Sequence, residues 1–560
     1  MNLVNKILFF FNFSSKIKTI LLIISNFILS LLEIVGLSML FYILVFLFQA
    51  DQVSNNILKD FSSIILSSFS LPVIIFFIFL IYFFKSFFYL FLINWKLKFI
   101  NEISIMISRK LLTRYLNGDQ EYFYKKNSGE LLRNIINENR KVTKALSAAA
   151  DLLIDLTLLF SAVFFLSFIN FQSTVVIFVF LLLFAVLYFL SLKKLLIKFA
   201  NKNIVLMADS LKFLVETFRG YSEIFINNKQ YFFINRYINK DSSILRFKRY
   251  EGLIKVLPRT LLELAIVTIV LYFLLSVSSF DKNLNNIFLN LTIYATVFFR
   301  LYPSIGKSMA NIQTIISCKP SLQLISKELN KEEKIIESIN QSSFPKDYDV
   351  EKINFKDVSF SYDGRKKILD NFNKIITKNS IIGITGNSGV GKSTLIHLLS
   401  GILKPTKGKI IIDEIELKDF SNWIDKIGYV SQKPFIMDSS IRDNVCLGEK
   451  EENYNQERIN NAYIQAGLYD FIKKLDLKDL SKVGEAGSFV SGGQIQRIGI
   501  ARALYKNAKI LLLDEITSNL DDNVTNKILQ SIVELKEGRI IFLISHDQKI
   551  LNYCDDIINL

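Results

Sequence analysis

The hydrophobic pattern divides the chain into two halves with different solvents. From Thr19 to Ala50 an apolar run carries a single charge, Glu33. Wound as a helix at about 1.5 Å per residue, it outreaches a hydrocarbon core of about 30 Å. Similar runs occupy Leu71–Asn94, Leu152–Ile169, Thr174–Leu192, Leu261–Ser279 and Ile287–Tyr302. Together they predict six membrane-spanning helices. The first run is too long for the apolar core of a cleaved signal peptide and lacks a small-residue cleavage site, so it reads as an anchor. Helical spacing of apolar positions continues through the longer loops, which predicts helices that extend well beyond the bilayer. After about Ser321 the texture changes. Lys327–Glu337 is strongly charged, and from Val350 short β-rich runs alternate with helical patterns, the signature of an α/β domain. The expected organisation is a membrane all-α six-helix domain over 1–320, a linker over 321–350 and an α/β domain over 351–560.

Composition agrees and narrows the class. Of 560 residues, 51% are hydrophobic and 50 are Phe, and the mean hydropathy is +0.33. A charged fraction of 21% excludes a disordered chain. Three dispersed cysteines, Cys318, Cys446 and Cys554, exclude a disulfide framework or zinc ribbon, and two histidines exclude a polyhistidine metal site. A net charge of +16 suits either nucleic acid or a membrane protein with basic cytoplasmic loops. Its placement decides. Lys96, Lys98, Arg109, Lys110, Arg114 and Arg133 lie between the second and third spans. Lys193, Lys194, Lys198, Arg219, Arg236 and Arg246 lie between the fourth and fifth. The opposite loops carry few charges, so the positive-inside rule puts the long loops and both termini in the cytoplasm, with no nucleic-acid partner required.

The second half carries phosphate chemistry. Ile381–Thr385 reads as a buried strand running into Gly386-Asn387-Ser388-Gly389-Val390-Gly391-Lys392-Ser393-Thr394 and then a helix, which is GxxxxGKS in its required context. Glycines let backbone N–H groups and a helix N-terminus surround an anion. Lys392 can reach the β- and γ-phosphates, and the Ser393 hydroxyl can ligate Mg²⁺. Later, Ile510–Leu513 is an apolar strand ending in Asp514 and Glu515, placed to hold the metal and to polarise an attacking water. A third motif, Val490-Ser491-Gly492-Gly493-Gln494, precedes a helix expected to start near Ile495.

With these motifs the chain resembles an ATP-binding cassette (ABC) half-transporter of the type I exporter (type IV) architecture. The resemblance extends to further positions. Tyr362 matches the aromatic on which adenine stacks, and Gln432 the Q-loop glutamine that senses Mg²⁺. Ser518-Asn519-Leu520-Asp521 is similar to the D-loop, and His546 to the switch histidine that contacts the γ-phosphate. Gly484-Glu485-Ala486-Gly487 resembles the exporter X-loop. Tyr115–Glu130 and Glu216–Phe233 resemble the two coupling helices. The implied cofactors are ATP and Mg²⁺. The implied partner is a second copy of the chain, because the signature serine and glycines of this family meet the phosphate loop across a dimer. Three departures stand out: Val490 in place of Leu, Asn519 in place of Ala, and an end at Leu560 that predicts either a short C-terminal edge or a truncated sequence.

Ionisable residues within spans suggest function. Lys85, Arg259 and Arg300 are candidates for an anionic headgroup, with Glu33, Asp155 and Glu263 as possible internal partners. The stretches Leu257–Glu263 and Phe299–Ser304 resemble bacterial flippases of lipid-linked oligosaccharides, the PglK type, whose cargo carries a pyrophosphate that Arg and Lys bind well. The resemblance implies ATP-driven flipping of such a glycolipid in a bacterial inner membrane. Multidrug, lipid or peptide export on the same fold is the alternative, and an ATP-gated channel or regulator a further one. Intact Glu515 argues against the channel, and the six spans argue against a soluble cassette ATPase.

Overall fold

The computed structural model describes residues 3–14, 16–47, 71–117, 128–169, 171–277, 302–330, 349–362, 367–387, 389–419, 423–517 and 522–560. The chain forms two compact units, one of Met1–Gly118 with Phe123–Glu333, the other essentially Lys334–Leu560.

The first unit is built of long helices: α1 (Leu3–Ser14), α2 (Lys16–Leu47), α3 (Leu71–Leu116), α4 (Ser128–Arg133), α5 (Asn139–Ile169), α6 (Phe171–Arg219), α7 (Tyr221–Ile226), α8 (Gln230–Val277), α9 (302–317) and α10 (Lys319–Asn330). A π-helical turn, Asn134–Glu138, joins α4 to α5. Helix α3 has 46 residues, about 69 Å at about 1.5 Å per residue. That is more than twice the hydrocarbon thickness, as the loop periodicity predicts. Among the described residues two helical stretches are long and apolar enough to cross a membrane, Lys16–Gly36 and Ile75–Leu116, each with mean hydropathy 2.2. The expected third and fourth spans lie on α5 and α6, and most of the fifth on α8. The expected sixth, apart from Tyr302, lies outside the described residues. The count of six is therefore a reading of the sequence alone. The expected linker also begins differently. Its first residues belong to α10, which buries Leu322, Ile325 and Leu329 in the first unit. Of the two segments that resemble coupling helices, 118–127 lies outside the described residues and the second contains α7.

Several charges inside this unit have partners among the described residues, as expected where an ion facing lipid costs roughly 2.5 kcal/mol or more. Lys85 on α3 is paired with Glu33 on α2, both largely buried. Lys96 pairs with Asp151. The Asn311 amide donates to Asp155 at 3.1 Å, and the Tyr302 hydroxyl donates to Glu263.

The second unit holds two sheets. An antiparallel sheet has the order β2-β1-β4-β5, with β1 Lys352–Phe360, β2 Leu369–Thr377, β4 Lys407–Ile412 and β5 Ile415–Glu416. A parallel sheet has the order β6-β7-β8-β3-β9, with β3 Ser380–Thr385, β6 Ile427–Val430, β7 Ile510–Asp514, β8 Ile540–Ile544 and β9 Asp556–Asn559. Every residue of β7 and of β8 is buried, as a sheet covered on both faces requires. The C-terminal residues expected as a short edge form β9, which pairs in parallel with β3 from Ile382↔Asp556 to Thr385↔Asn559.

The buried pair in the first unit yields a prediction. Glu33→Gln leaves Lys85 without its carboxylate and is expected to destabilise the protein by about 3 kcal/mol. Glu33→Gln/Lys85→Met should recover most of that loss. Thermal unfolding of the three purified proteins measures both effects, and equal losses in the single and double variants would contradict the pairing.

Candidate nucleotide site

In an open parallel sheet, ligands bind beyond the carboxyl ends of the strands. Four of the five strands carry expected site residues just beyond that end. Strand β3 runs into the phosphate loop, β6 into Ser431 and Gln432, β7 into Glu515, and β8 into Ser545 and His546. Register aligns them: Ile384 on β3 pairs with Ile544 on β8, which pairs with Asp514 on β7.

The loop after β3 curls because its glycines adopt backbone angles closed to other residues. Gly386 has φ +142° and Gly391 +123°; a Cβ at Gly391 would meet Ile368 at 2.6 Å. Gly389 faces open space, and Asn387 and Val390 complete the curl through a turn bond of 3.3 Å. Ser388 lies outside the described residues. The helix that follows, Lys392–Leu399, starts directly at the loop's lysine, so its first N–H groups face the loop.

Lys392 is buried, and its ammonium donates to the Gly386 and Asn387 carbonyls at 2.8 and 3.1 Å. Its Nζ is also 3.0 Å from His546 Nε2. Ser393 Oγ donates to Asp514 Oδ2 at 3.1 Å. Burial pushes the Asp514 carboxyl up from its ordinary value, while the Ser393 hydroxyl and, against the Glu515 charge, the Lys392 ammonium draw it back. Gln432 Nε2 donates to Glu515 Oε2 at 2.6 Å, and His546 Nε2 is 3.5 Å from Glu515 Oε1. Glu515 has φ +49°, a left-handed conformation uncommon for a glutamate and of the kind that concentrates at functional sites. The structure thus brings together Lys392, Ser393, Gln432, Asp514, Glu515 and His546, expected from the sequence as one site.

Tyr362 stands nearby. Its hydroxyl is 3.2 Å from Thr394 Oγ1 and its ring meets Phe360 edge-to-face, leaving the side chain about half exposed. Asp521, with Ser518–Leu520, lies outside the described residues. Ser491 is the N-cap of the helix Gly492–Tyr505. Gln494 N–H donates to its hydroxyl at 3.3 Å, and its own N–H donates to Gln494 Oε1 at 2.7 Å. This reciprocal capping starts the helix at Gly492, three residues before the expected Ile495. Gly492 and Gly493 therefore present the unsatisfied amides of a helix N-terminus.

Two supports escaped the sequence reading. A Cβ at Gly499 would approach Pro434 at 2.8 Å, so the signature helix packs directly against the chain following Gln432. Arg502 then fastens that chain, donating to the Phe435 and Asn444 carbonyls, each at 2.8 Å. The small residues Gly499, Ala501 and Ala503 were the available signal, but small positions do not name their partner.

The residues fit Mg-ATP. The Ser393 hydroxyl, Asp514 carboxylate and Gln432 amide oxygen are hard oxygen donors suited to Mg²⁺. The Lys392 ammonium, held only by carbonyls and an imidazole, can exchange these for phosphate oxygens. Bound Mg²⁺ would supply charge neutralisation on those oxygens. Of the expected cargo residues, Lys85 is already neutralised by Glu33. Arg259 is placed on α8, its side chain outside the described residues, as is Arg300 entirely.

Comparison with known proteins agrees with this geometry. Residues 369–518 match the family model described as ABC transporter. Over 251 residues the chain is 36% identical to an ATP-binding/permease protein of Haemophilus influenzae, covering 44% of each. It is 28% identical to the ATP-dependent lipid A-core flippase of Wigglesworthia glossinidia brevipalpis, over 80% of this chain and 76% of that one. It is 41% identical to a leukotoxin translocation ATP-binding protein of Mannheimia glucosida, over 37% of this chain and 29% of that one. The chain spans less than half the length of the Haemophilus and Mannheimia relatives. Among solved structures, a bacterial Atm1-family ABC exporter with ATP bound matches with a TM-score of 0.77 at 18% identity, over 96% of this chain and 93% of that one. The chain therefore has the fold of an ABC exporter, and its second unit carries an ABC transporter ATPase domain.

Lys392→Ala removes the only ammonium seen in the described part of the phosphate loop. It is expected to weaken ATP binding at least about tenfold, one charge-assisted phosphate contact being worth roughly 1.5–3 kcal/mol. Fluorescent-nucleotide titration checks this; unchanged affinity would contradict the assignment.

Proposed function

We propose that this chain is an ATP-driven membrane exporter or flippase that works as a homodimer. The observation that carries the reading is Glu515: a carboxylate just past Asp514, held at 2.6 Å by Gln432 and within 3.5 Å of His546. A group placed there acts on the water and not on the nucleotide. Lys392, the loop amides and Ser393 bind the triphosphate, Asp514 and Gln432 complete the metal's ligands, and Tyr362 stacks on adenine. Asp521 and the Ser491–Gln494 capped helix end act from the second copy. One cassette per chain makes two such composite sites in a symmetric pair. ATP stabilises the closed pair and hydrolysis releases it, which shifts the population of the membrane helices between two states.

The cargo we favour is a lipid-linked oligosaccharide or another anionic glycolipid. Support comes from the stretches around Arg259 and Arg300 and from the flippase named among the relatives. The leukotoxin relative keeps a polypeptide cargo as the second reading. With Lys85 paired to Glu33, anion recognition rests on Arg259 and Arg300, and Lys85 joins only if its pair opens. The working location is a bacterial inner membrane with the ATPase unit in the cytoplasm.

Glu515→Gln tests the chemistry and the assembly together. It is expected to lower ATP turnover at least about a hundredfold, the low end of what a positioned acid–base group contributes, while ATP binding persists. The ATP-loaded variant should accumulate as a closed dimer, measured by light scattering and nucleotide retention. Turnover near wild type would overturn the role of Glu515, and an ATP-loaded monomer would overturn the shared site.

A further inference from the structure

Helix α8 carries Pro258 in its interior, well away from either end. Proline has no N–H, so the carbonyl four residues earlier, that of Ile254, loses its helical partner. A buried carbonyl left in that state is costly, and most are satisfied by some other donor. Here two side chains from two other helices supply it. Tyr188 on α6 donates its hydroxyl to the Ile254 carbonyl at 2.8 Å. Gln313 on α9 donates its amide to the same oxygen at 3.1 Å, and the amide also reaches the Tyr188 hydroxyl at 2.5 Å. Both donors are deep in the helical unit: Tyr188 is 7% exposed and Gln313 fully buried. Beside them Tyr188, Leu262 and Met309 close one apolar cluster. Two polar side chains at a single apolar junction are an expensive way to pack three helices. The missing N–H at Pro258 accounts for both of them.

We propose that Tyr188 and Gln313 are positioning residues for transport. They latch the one rung of α8 that Pro258 opens, so the helix has a hinge at the base of its expected membrane span that is closed in this state and free to open in another. A proline-broken helix bends where its carbonyl is released, and its freed carbonyl must find a donor on either side of the movement. The latch sets the position of the upper part of α8, the part bearing Glu263 and its bond to Tyr302. Only the transport role rests on the exporter reading; the latch itself does not.

The test compares the wild type with Tyr188→Phe/Gln313→Leu, with Pro258→Ala, and with the three substitutions combined. The double variant strips both donors and is expected to unfold several degrees lower. Adding Pro258→Ala restores an N–H opposite the Ile254 carbonyl and should recover most of that loss, which a general packing defect would not. Failure of Pro258→Ala to rescue would overturn the latch. Hydrogen–deuterium exchange of α8 then reads the hinge, comparing nucleotide-free with ATP-saturated protein. In the wild type, amides just after Pro258 should exchange at least fivefold faster in one of the two states; in Pro258→Ala the difference should vanish. Equal exchange in both states of a wild type that binds ATP would overturn the positioning role. A protein that neither binds nor hydrolyses ATP would count against the exporter reading instead, leaving the rescue result to decide the latch.

Discussion

The parallel register of four strands is the constraint on which the nucleotide site depends. Ile384, Ile544 and Asp514 stand side by side on β3, β8 and β7, so Lys392, His546 and the two carboxylates emerge at one level. A slip of one residue would move a strand end by about 3.3 Å. That is longer than the Gln432–Glu515 and Lys392–His546 contacts of 2.6 and 3.0 Å, and would separate the pairs made by the strand that slipped. Alternate apolar side chains of β7 and β8 fill two different cores, so a slip would put each one into packing shaped for its neighbour, and that fixes the register. The sheet's apolar interior is thus what aligns the polar groups above it.

Those polar groups satisfy one another in this state. Lys392 rests on carbonyls and an imidazole, Ser393 on Asp514, and Glu515 on Gln432. Mg-ATP would replace interactions that already exist, so its binding need not order a disorganised site. The strained backbone of Glu515 is held by the Ile544 carbonyl, which accepts the Glu515 N–H at 3.2 Å. The signature helix is likewise tied to the chain after Gln432 through Gly499 and Arg502. A shift in the glutamine's loop would therefore displace that helix, which in the proposed dimer would link metal sensing to the end that meets the second copy.

Much of this was legible in the sequence because its signals are local. The glycine spacing before Lys392, the apolar run into Asp514 and Glu515, and the long apolar helices are each contained within a few turns or one strand. The capped start of the signature helix was missed: glycines at the first two helical positions hid the Ser491–Gln494 cap, and the start was expected near Ile495. What could not be read were partners far apart in the chain. Three acids and three bases in the spans allowed either internal neutralisation or an anion site, and only three-dimensional packing assigns Glu33 to Lys85. Pro258 removes a helical N–H, yet nothing local points to Tyr188 or Gln313 as the donors that replace it. Gly499 likewise gave no hint of Pro434.

Hydrolysis at this site is proposed to move an anionic glycolipid across a bilayer. This is tested most directly by reconstituting the purified protein into liposomes that contain a fluorescent lipid-linked oligosaccharide, with a dye-labelled neutral phospholipid as control. Translocation is read as accessibility of each label to a membrane-impermeant quencher. Mg-ATP is expected to drive the wild type to move the glycolipid, the protein bearing Glu515→Gln is expected not to, and the neutral lipid is expected to stay in place. Robust ATP hydrolysis with neither lipid displaced, or equal displacement of both, would contradict the proposed cargo. Movement that proceeds without ATP would contradict the mechanism itself.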